Sequence, residues 1–187
     1  MLIGGVAVIA RGVRRLTDDV GATLWGEGVD VDVLLRRLAL QRIVPRVADA
    51  AAFVRQSQVL LLRHEPSGVD VDLSLAWLPF ESDALERASD VAIGRRRVRV
   101  ATPEDLVVYK AIAARQRDLS DIERLLELHA ESMDLSRARR TVEELALVLE
   151  RPDLVDGLDG LIRAVRRGAA SKGSSKSRKT RKRPRRS

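Results

Sequence analysis

Cysteine is absent from this 187-residue chain, and aromatic residues make up only 3% of it. The lack of cysteine excludes disulfides, thiolate zinc sites and thiol catalysis, and it is typical of proteins in a reducing compartment. With so few aromatic side chains, the core must consist mainly of leucine, valine, alanine and isoleucine. A hydrophobic share of 45% still predicts a folded body.

Long apolar segments are also missing from the sequence. No run approaches the roughly 18 residues that are needed to span a bilayer. The first residues are apolar and then basic, MLIGGVAVIARGVRR, which is the reverse of the charge order in a secretion signal. We therefore expect a cytoplasmic protein that has no membrane partner.

The positive charge is concentrated at one end of the chain, although the formal net charge is +7 overall. Residues 168–187 hold nine Lys/Arg and no acid, whereas residues 1–167 hold 25 Lys/Arg against 27 Asp/Glu. This tail has no apolar residue larger than alanine, so it is predicted to be disordered. We expect one domain before it, with an α/β core over 1–100 and a helical part over 101–167.

Alternating apolar residues and turn signals predict a mixed β-sheet in the first hundred residues. LIGG suggests a short strand that runs into a helix, and a second strand is expected at 19–25. Asp30 is a candidate N-cap for a helix, and residues 65–68 have the turn chemistry of a hairpin. Further predictions are a short helix at 49–55, a helix over FESDALERAS and a small hairpin around Gly94.

The residues after the predicted sheet have a helical pattern. Thr102 and Pro103 are typical of a helix start. The helical pattern continues from 104 to 165, with breaks near Asp118, Asp134 and Pro152. The two tryptophans, Trp25 and Trp77, are expected in the core. The fold class predicted for the body is therefore α/β, a mixed sheet followed by a helical layer.

The glycine pair Gly4-Gly5 lies at a predicted junction between a strand and a helix. Glycine at such a junction lets a phosphate approach the backbone, and the N-terminus of a helix favours an anion. The alternative is that the pair marks an ordinary turn.

Three aspartates are candidate metal ligands. Asp19 begins the second predicted strand, whereas Asp70 and Asp72 share one face of a later strand. Carboxylates from neighbouring strands are typical ligands of Mg²⁺, which prefers oxygen and bridges to substrate phosphates. The alternative is a solvated polar face without a ligand.

Lys110 is the one lysine before the basic tail, where the chain otherwise uses 24 arginines. A compact ammonium suits a phosphate or a proton-transfer role that a planar guanidinium fits poorly. Chance is the alternative explanation.

Taken in order, these residues resemble the nucleotidyltransferase superfamily that includes DNA polymerase beta. The resemblance is carried by the glycine pair, the segment Arg15-Leu16-Thr17-Asp18-Asp19-Val20, VDVDLSLAWLPFE, and PEDLVVYKAIAARQRDLSDIERLL. Within the superfamily the chain is most similar to the AbiEii-like abortive-infection and toxin–antitoxin branch. The similarity covers about residues 2–150.

The resemblance implies transfer of a nucleotidyl group from an NTP to a hydroxyl of RNA, tRNA or protein. Mg²⁺ or Mn²⁺ would be the cofactor, and a cognate antitoxin would be a partner. Asp19 and Asp72 would be the catalytic carboxylates. The other implied roles are nucleotide contacts by Gly4, Gly5, Thr17 and Lys110, and metal binding by Asp19, Asp70 and Asp72.

One position departs from the superfamily pattern, which has Asp-x-Asp on the second strand. Position 21 is glycine here, so one bridging metal ligand is missing. Asp18 is a poor substitute, because adjacent residues of a strand point to opposite faces. Two alternatives to an active enzyme therefore stay open. One is a degenerate nucleotide-binding or interaction module, and the other is a protein that binds nucleic acid through its tail.

Overall fold

A computed structural model describes the backbone of residues 1–180 and the side chains of residues 1–168. The chain forms two compact units, Met1–Tyr109 and Lys110–Ser187. The boundary between them falls inside the helix Pro103–Ala113. The first unit is of mixed α/β structure, and the described part of the second is helical.

The first unit is built around a mixed sheet of seven strands. In chain order the strands are β1 (Leu2–Ile3), β2 (Asp19–Trp25), β3 (Ile43–Pro45), β4 (Val59–His64), β5 (Val69–Ala76), β6 (Ser89–Ile93) and β7 (Arg96–Val100). Their order across the sheet is β3-β4-β5-β2-β1-β7-β6. The pairs β2–β5 and β1–β7 are parallel, and the other pairs are antiparallel. The α/β fold predicted from the sequence is thus confirmed.

Eight helices are present in the described residues. They are α1 (Gly4–Ala10), α2 (Val31–Leu40), α3 (Ala50–Ser57), α4 (Pro79–Arg87), α5 (Pro103–Ala113), α6 (Gln116–His129), α7 (Leu135–Val148) and α8 (Asp153–Thr180). Asp30 caps α2 by accepting a hydrogen bond from the Val33 N–H at 2.9 Å, as its sequence position predicted. Within the described part of the chain, none of these helices has both the length and the apolar character needed to cross a bilayer.

One face of the sheet is apolar where β2, β4 and β5 lie side by side, and α2 and α3 pack against it. The cluster is made of leucines with smaller aliphatic residues, including Leu60, Leu62, Leu73, Leu75, Val54 and Ala50. Burying a leucine side chain completely stabilises the folded state by roughly 1.5–3 kcal/mol relative to leaving it in water. Because strand residues alternate between faces, the aspartates of β2 and β5 lie on the opposite face.

Four details of the sequence prediction need correction or comment. Strand β3 was not predicted, because three residues are too few for a periodic signal. The break predicted near Asp118 lies earlier, at Ala114, which has a left-handed φ of 49°. Trp25 and Trp77 are not core residues, with 38% and 63% of their surface exposed. Helix α8 extends to Thr180, and residues 181–187 of the predicted tail lie outside the described residues.

Candidate active site

The register of β2 against β5 brings the sequence-predicted carboxylates of the first unit to one face of the sheet. Asp19 lies directly opposite Asp70, and Gly21 lies opposite Asp72. Paired positions in a sheet point to the same side, so these aspartates share a surface. The structure therefore brings together three of the residues that the sequence suggested as catalytic or metal-binding.

Thr17 positions the Asp19 carboxylate. The Thr17 hydroxyl donates a hydrogen bond to Asp19 Oδ1 at 2.7 Å. This arrangement depends on Gly5, because a Cβ atom built there would lie only 2.9 Å from Thr17 Cβ. Thr17 thus acts on Asp19 in this structure, and its contact with a nucleotide stays a prediction.

Gly4 and Gly21 meet backbone to backbone where β1 pairs with β2. Gly4 has a φ of +66°, in the left-handed region that favours glycine. A Cβ atom at Gly21 would lie 3.3 Å from the Ile3 carbonyl oxygen and 3.5 Å from Gly4 Cα. Position 21, where the superfamily pattern has an aspartate and this chain has glycine, is therefore also a place of tight backbone contact. The role of the glycine pair in holding phosphate stays a prediction.

Two arginines that the sequence reasoning missed pair with the aspartates of β5. Arg46 contacts Asp72 through one guanidinium nitrogen, and its other nitrogen lies 3.3 Å from Asp70. Arg63 lies opposite Asp70 in the β4–β5 ladder and donates to it at 2.7 Å. The hydrogen bond from Arg63 lowers the pKa of Asp70 below its usual value. The hairpin turn at 65–68 could have revealed Arg63, because it fixes this register, but no local signal identifies Arg46.

Lys110 has carboxylate partners inside the second unit. Its Nζ atom lies 2.7 Å from Asp118 Oδ1 and 2.9 Å from Asp121 Oδ2. All three side chains are almost fully buried, with 7%, 0% and 3% of their surface exposed. Burial raises the pKa of Asp118, but hydrogen bonds from Arg115 and Lys110 outweigh it and the pKa is lowered. A phosphate contact by Lys110 stays a prediction.

A family model described as nucleotidyl transferase of unknown function matches residues 59–152. The match covers half of the chain. This chain belongs to that nucleotidyl transferase family. No curated protein matches the chain.

The segment that the nucleotidyl transferase family matches begins at β4 and ends after α7. It contains Asp70, Asp72 and Lys110, whereas the glycine pair and Asp19 precede it. The strand register connects the earlier half of the site to the matched segment, because it pairs Asp19 with Asp70 and places Asp72 opposite Gly21.

The carboxylates of the candidate site fit one Mg²⁺ ion better than two. Among the described residues there is no group of three or more His, Cys, Asp or Glu side chains arranged to hold a metal ion. Mg²⁺ is commonly held by only one or two carboxylates together with substrate phosphates. Asp19 and Asp72, which lie on one face of neighbouring strands, fit that smaller requirement. A second ion would need the carboxylate that Gly21 lacks.

Replacing Gly5 by alanine is expected to destabilise the protein by about 1–3 kcal/mol, the usual cost of an overpacked site. The added methyl group would collide with Thr17 and push it away from Asp19. Chemical denaturation measures the loss. The matched control is Gly160→Ala in α8, where a Cβ atom meets nothing within 4 Å. Equal stability of the two variants would contradict the packing role of Gly5.

Proposed function

We propose that this protein transfers a nucleotidyl group from an NTP to a hydroxyl acceptor at the Asp19 face of the sheet. Membership of the family supports nucleotidyl transfer in general. The observation that carries the proposal is the register that places Asp19 and Asp72 on one face, with Thr17 bonded to Asp19. The carboxylates of Asp19 and Asp72 would hold Mg²⁺, or Mn²⁺, as the cofactor.

Asp72 is the better candidate for the general base. Asp70 is held by two arginines, Arg63 at 2.7 Å and Arg46 at 3.3 Å, and its lowered pKa makes it a poor proton acceptor. Asp72 contacts Arg46 but not Arg63. The Asp72 side chain is more exposed, at 44% against 28% for Asp70. Asp72 can thus reach an acceptor hydroxyl once a nucleotide is bound.

The proposed reaction is an in-line displacement at the α-phosphorus. The acceptor oxygen forms a bond to the α-phosphorus while the bond to the bridging oxygen of pyrophosphate breaks, and the hydroxyl proton moves to Asp72. A bound Mg²⁺ would supply charge neutralisation on the phosphates. Thr17 contributes by holding the Asp19 carboxylate in one orientation. Little free energy is then needed to orient this carboxylate when the reaction takes place.

Labelled nucleotides test this function directly. The full chain is incubated with Mg²⁺, total tRNA or protein acceptors, and each NTP labelled either at the α- or at the γ-phosphate. Nucleotidyl transfer predicts that only the α-label enters the acceptor. Entry of the γ-label would indicate phosphoryl transfer and contradict the proposal.

The acceptor class and the biological role are part of the same proposal. The nine Lys/Arg of residues 168–187 would attract a polynucleotide, because several cations can engage several phosphates in a salt-dependent way. We therefore favour RNA, such as tRNA, as the acceptor. A toxin role, with a cognate antitoxin, follows from the AbiEii-like resemblance. It predicts that expression of the protein arrests growth and that Asp19→Asn relieves the arrest.

A degenerate nucleotide-binding module is the second candidate function. Gly21 favours it, and so does the pairing of both β5 aspartates with arginine. The variant Gly21→Asp separates the two candidates, since it restores the carboxylate at the cost of crowding the Ile3 carbonyl. Activity in this variant combined with inactivity of the natural chain would establish the degenerate module.

A further inference from the structure

Arg46 is fixed by the backbone of β4 at the edge of the candidate site. Its N–H donates to the Leu61 carbonyl at 2.8 Å, and its side-chain Nε donates to the Leu62 carbonyl at 2.9 Å. These two bonds hold the base of the guanidinium. The two terminal nitrogens therefore point at the carboxylates of β5.

The terminal nitrogens of Arg46 are divided between Asp72 and Asp70. Within the part of the chain whose side chains are described, Arg46 is the cation that contacts Asp72, whereas Asp70 is also held by Arg63. Arg46 is the more buried of the two arginines, with 28% of its side chain exposed against 51% for Arg63. The neutralisation of Asp72 thus depends on Arg46.

A divalent cation at Asp72 would compete with Arg46 for the same carboxylate. Two positive groups at one oxygen pair repel each other, and the repulsion is strongest where water is partly excluded. Without Asp72 the guanidinium would keep only Asp70, whose charge Arg63 already neutralises. The metal would therefore bind easily only if the guanidinium gained a further anion. A triphosphate is such an anion, because a planar guanidinium binds two phosphate oxygens at once.

We propose that Arg46 couples metal binding to nucleotide binding by exchanging the Asp72 carboxylate for a nucleotide phosphate. This inference rests on the proposed function and adds a phosphate-binding residue to it. The Nε bond to Leu62 keeps the guanidinium in place during the exchange, so only the partner of its terminal nitrogens changes. In the absence of nucleotide, Arg46 holds Asp72 and the metal binds weakly.

The coupling is measured as the factor by which a nucleotide tightens Mn²⁺ binding. Free Mn²⁺ is titrated by electron paramagnetic resonance against the full chain, with and without α,β-methylene analogues of ATP, CTP, GTP and UTP in turn. Direct chelation of Mn²⁺ by the analogue is the same for every variant and cancels in the comparison. The coupling is reciprocal, so analogue titrations at fixed Mn²⁺ provide an independent value.

The variant Arg46→Gln is expected to bind Mn²⁺ at least fivefold more tightly without nucleotide, because Asp72 loses its competing cation. Its coupling factor is expected to fall at least tenfold. Arg46→Met, which keeps much of the aliphatic side chain, serves if the glutamine variant melts at a lower temperature. The matched control is Arg63→Gln, which removes a cation from Asp70 alone and should leave the coupling within threefold of the wild type.

An unchanged coupling factor in both Arg46 variants would overturn the inference. If the wild type binds none of the four analogues, the proposed nucleotide function fails instead. In that case the Mn²⁺ affinity measured without nucleotide tests whether Arg46 and the metal compete for Asp72. Tighter Mn²⁺ binding by the Arg46 variants than by the wild type would support the competition, and equal binding would reject it.

Discussion

Replacing Asp19 by asparagine is expected to reduce nucleotidyl transfer at least a hundredfold, which corresponds to about 2.7 kcal/mol of lost transition-state stabilisation. Asparagine keeps the size of the side chain and can still accept the hydrogen bond from Thr17. The variant therefore removes the charge and leaves the local packing intact. Initial rates with α-labelled NTP, measured at several NTP concentrations, give the loss in kcat/KM.

The natural control for Asp19→Asn is Asp18→Asn, one residue earlier in the chain. Asp18 is exposed and lies just before β2. It carries the same charge, so a long-range electrostatic effect would lower the rate in both variants alike. A rate for Asp19→Asn within threefold of the wild type would contradict the proposed role of this carboxylate.

Replacing Lys110 by methionine is expected to lower the free energy of unfolding by about 3–5 kcal/mol, as when one partner of a buried ion pair is removed. The two carboxylates within 3 Å of the ammonium would lose it as a hydrogen-bond donor while staying buried. For a chain of this length, the corresponding fall in melting temperature is about 10 °C. Thermal and chemical denaturation of the full chain measure it.

The stability that is lost in Lys110→Met should depend on pH, because the buried cluster of Lys110, Asp118 and Asp121 contains carboxylates that titrate. The pKa of Asp118 is lowered in the folded protein, so its ionised form stabilises the fold above the unfolded pKa of about 4. That contribution is lost as the pH falls through the folded pKa. The difference in free energy of unfolding between the wild type and Lys110→Met should therefore be constant near neutral pH and shrink below about pH 4.

Arg139→Met provides the matched control for this stability effect. Arg139 also bonds a carboxylate of the second unit, Asp159, at 2.9 Å, but 40% of its side chain is exposed. Exposed pairs contribute about 0–1 kcal/mol. A Lys110→Met variant no less stable than Arg139→Met would contradict a structural role for the buried cluster.

The β4–β5 hairpin shows how much of the first unit could be predicted from local sequence patterns. Apolar runs and the turn at 65–68 predicted both strands, and alternation along the second strand predicted that Asp70 and Asp72 share a face. Strand period and turn conformation depend on nearby residues alone. The same reasoning could align Arg63 with Asp70. It could not find Arg46, which reaches the aspartates through the pairing of the short strand β3 with β4.

Lys110 shows where residue type alone was insufficient. Its rarity in an arginine-rich chain singled it out, and the chemical argument pointed to phosphate. The structure places two carboxylates from α6 on its ammonium. Those partners are 8 and 11 residues away along the chain, and only the packing of one helix against another brings them together.

By itself, the sequence determined the α/β class, most of the strands and helices, and Asp19, Asp70 and Asp72 as candidates for one site. Periodicity, capping residues and turn residues act over a few positions, so they can be recognised without a structure. Only the tertiary structure decided which cation lies on which carboxylate, and that Gly5 makes room for Thr17 while Gly21 meets the backbone at Gly4. These contacts join residues that are separated along the chain. They depend on strand register and on burial, and no local sequence pattern fixes either of these.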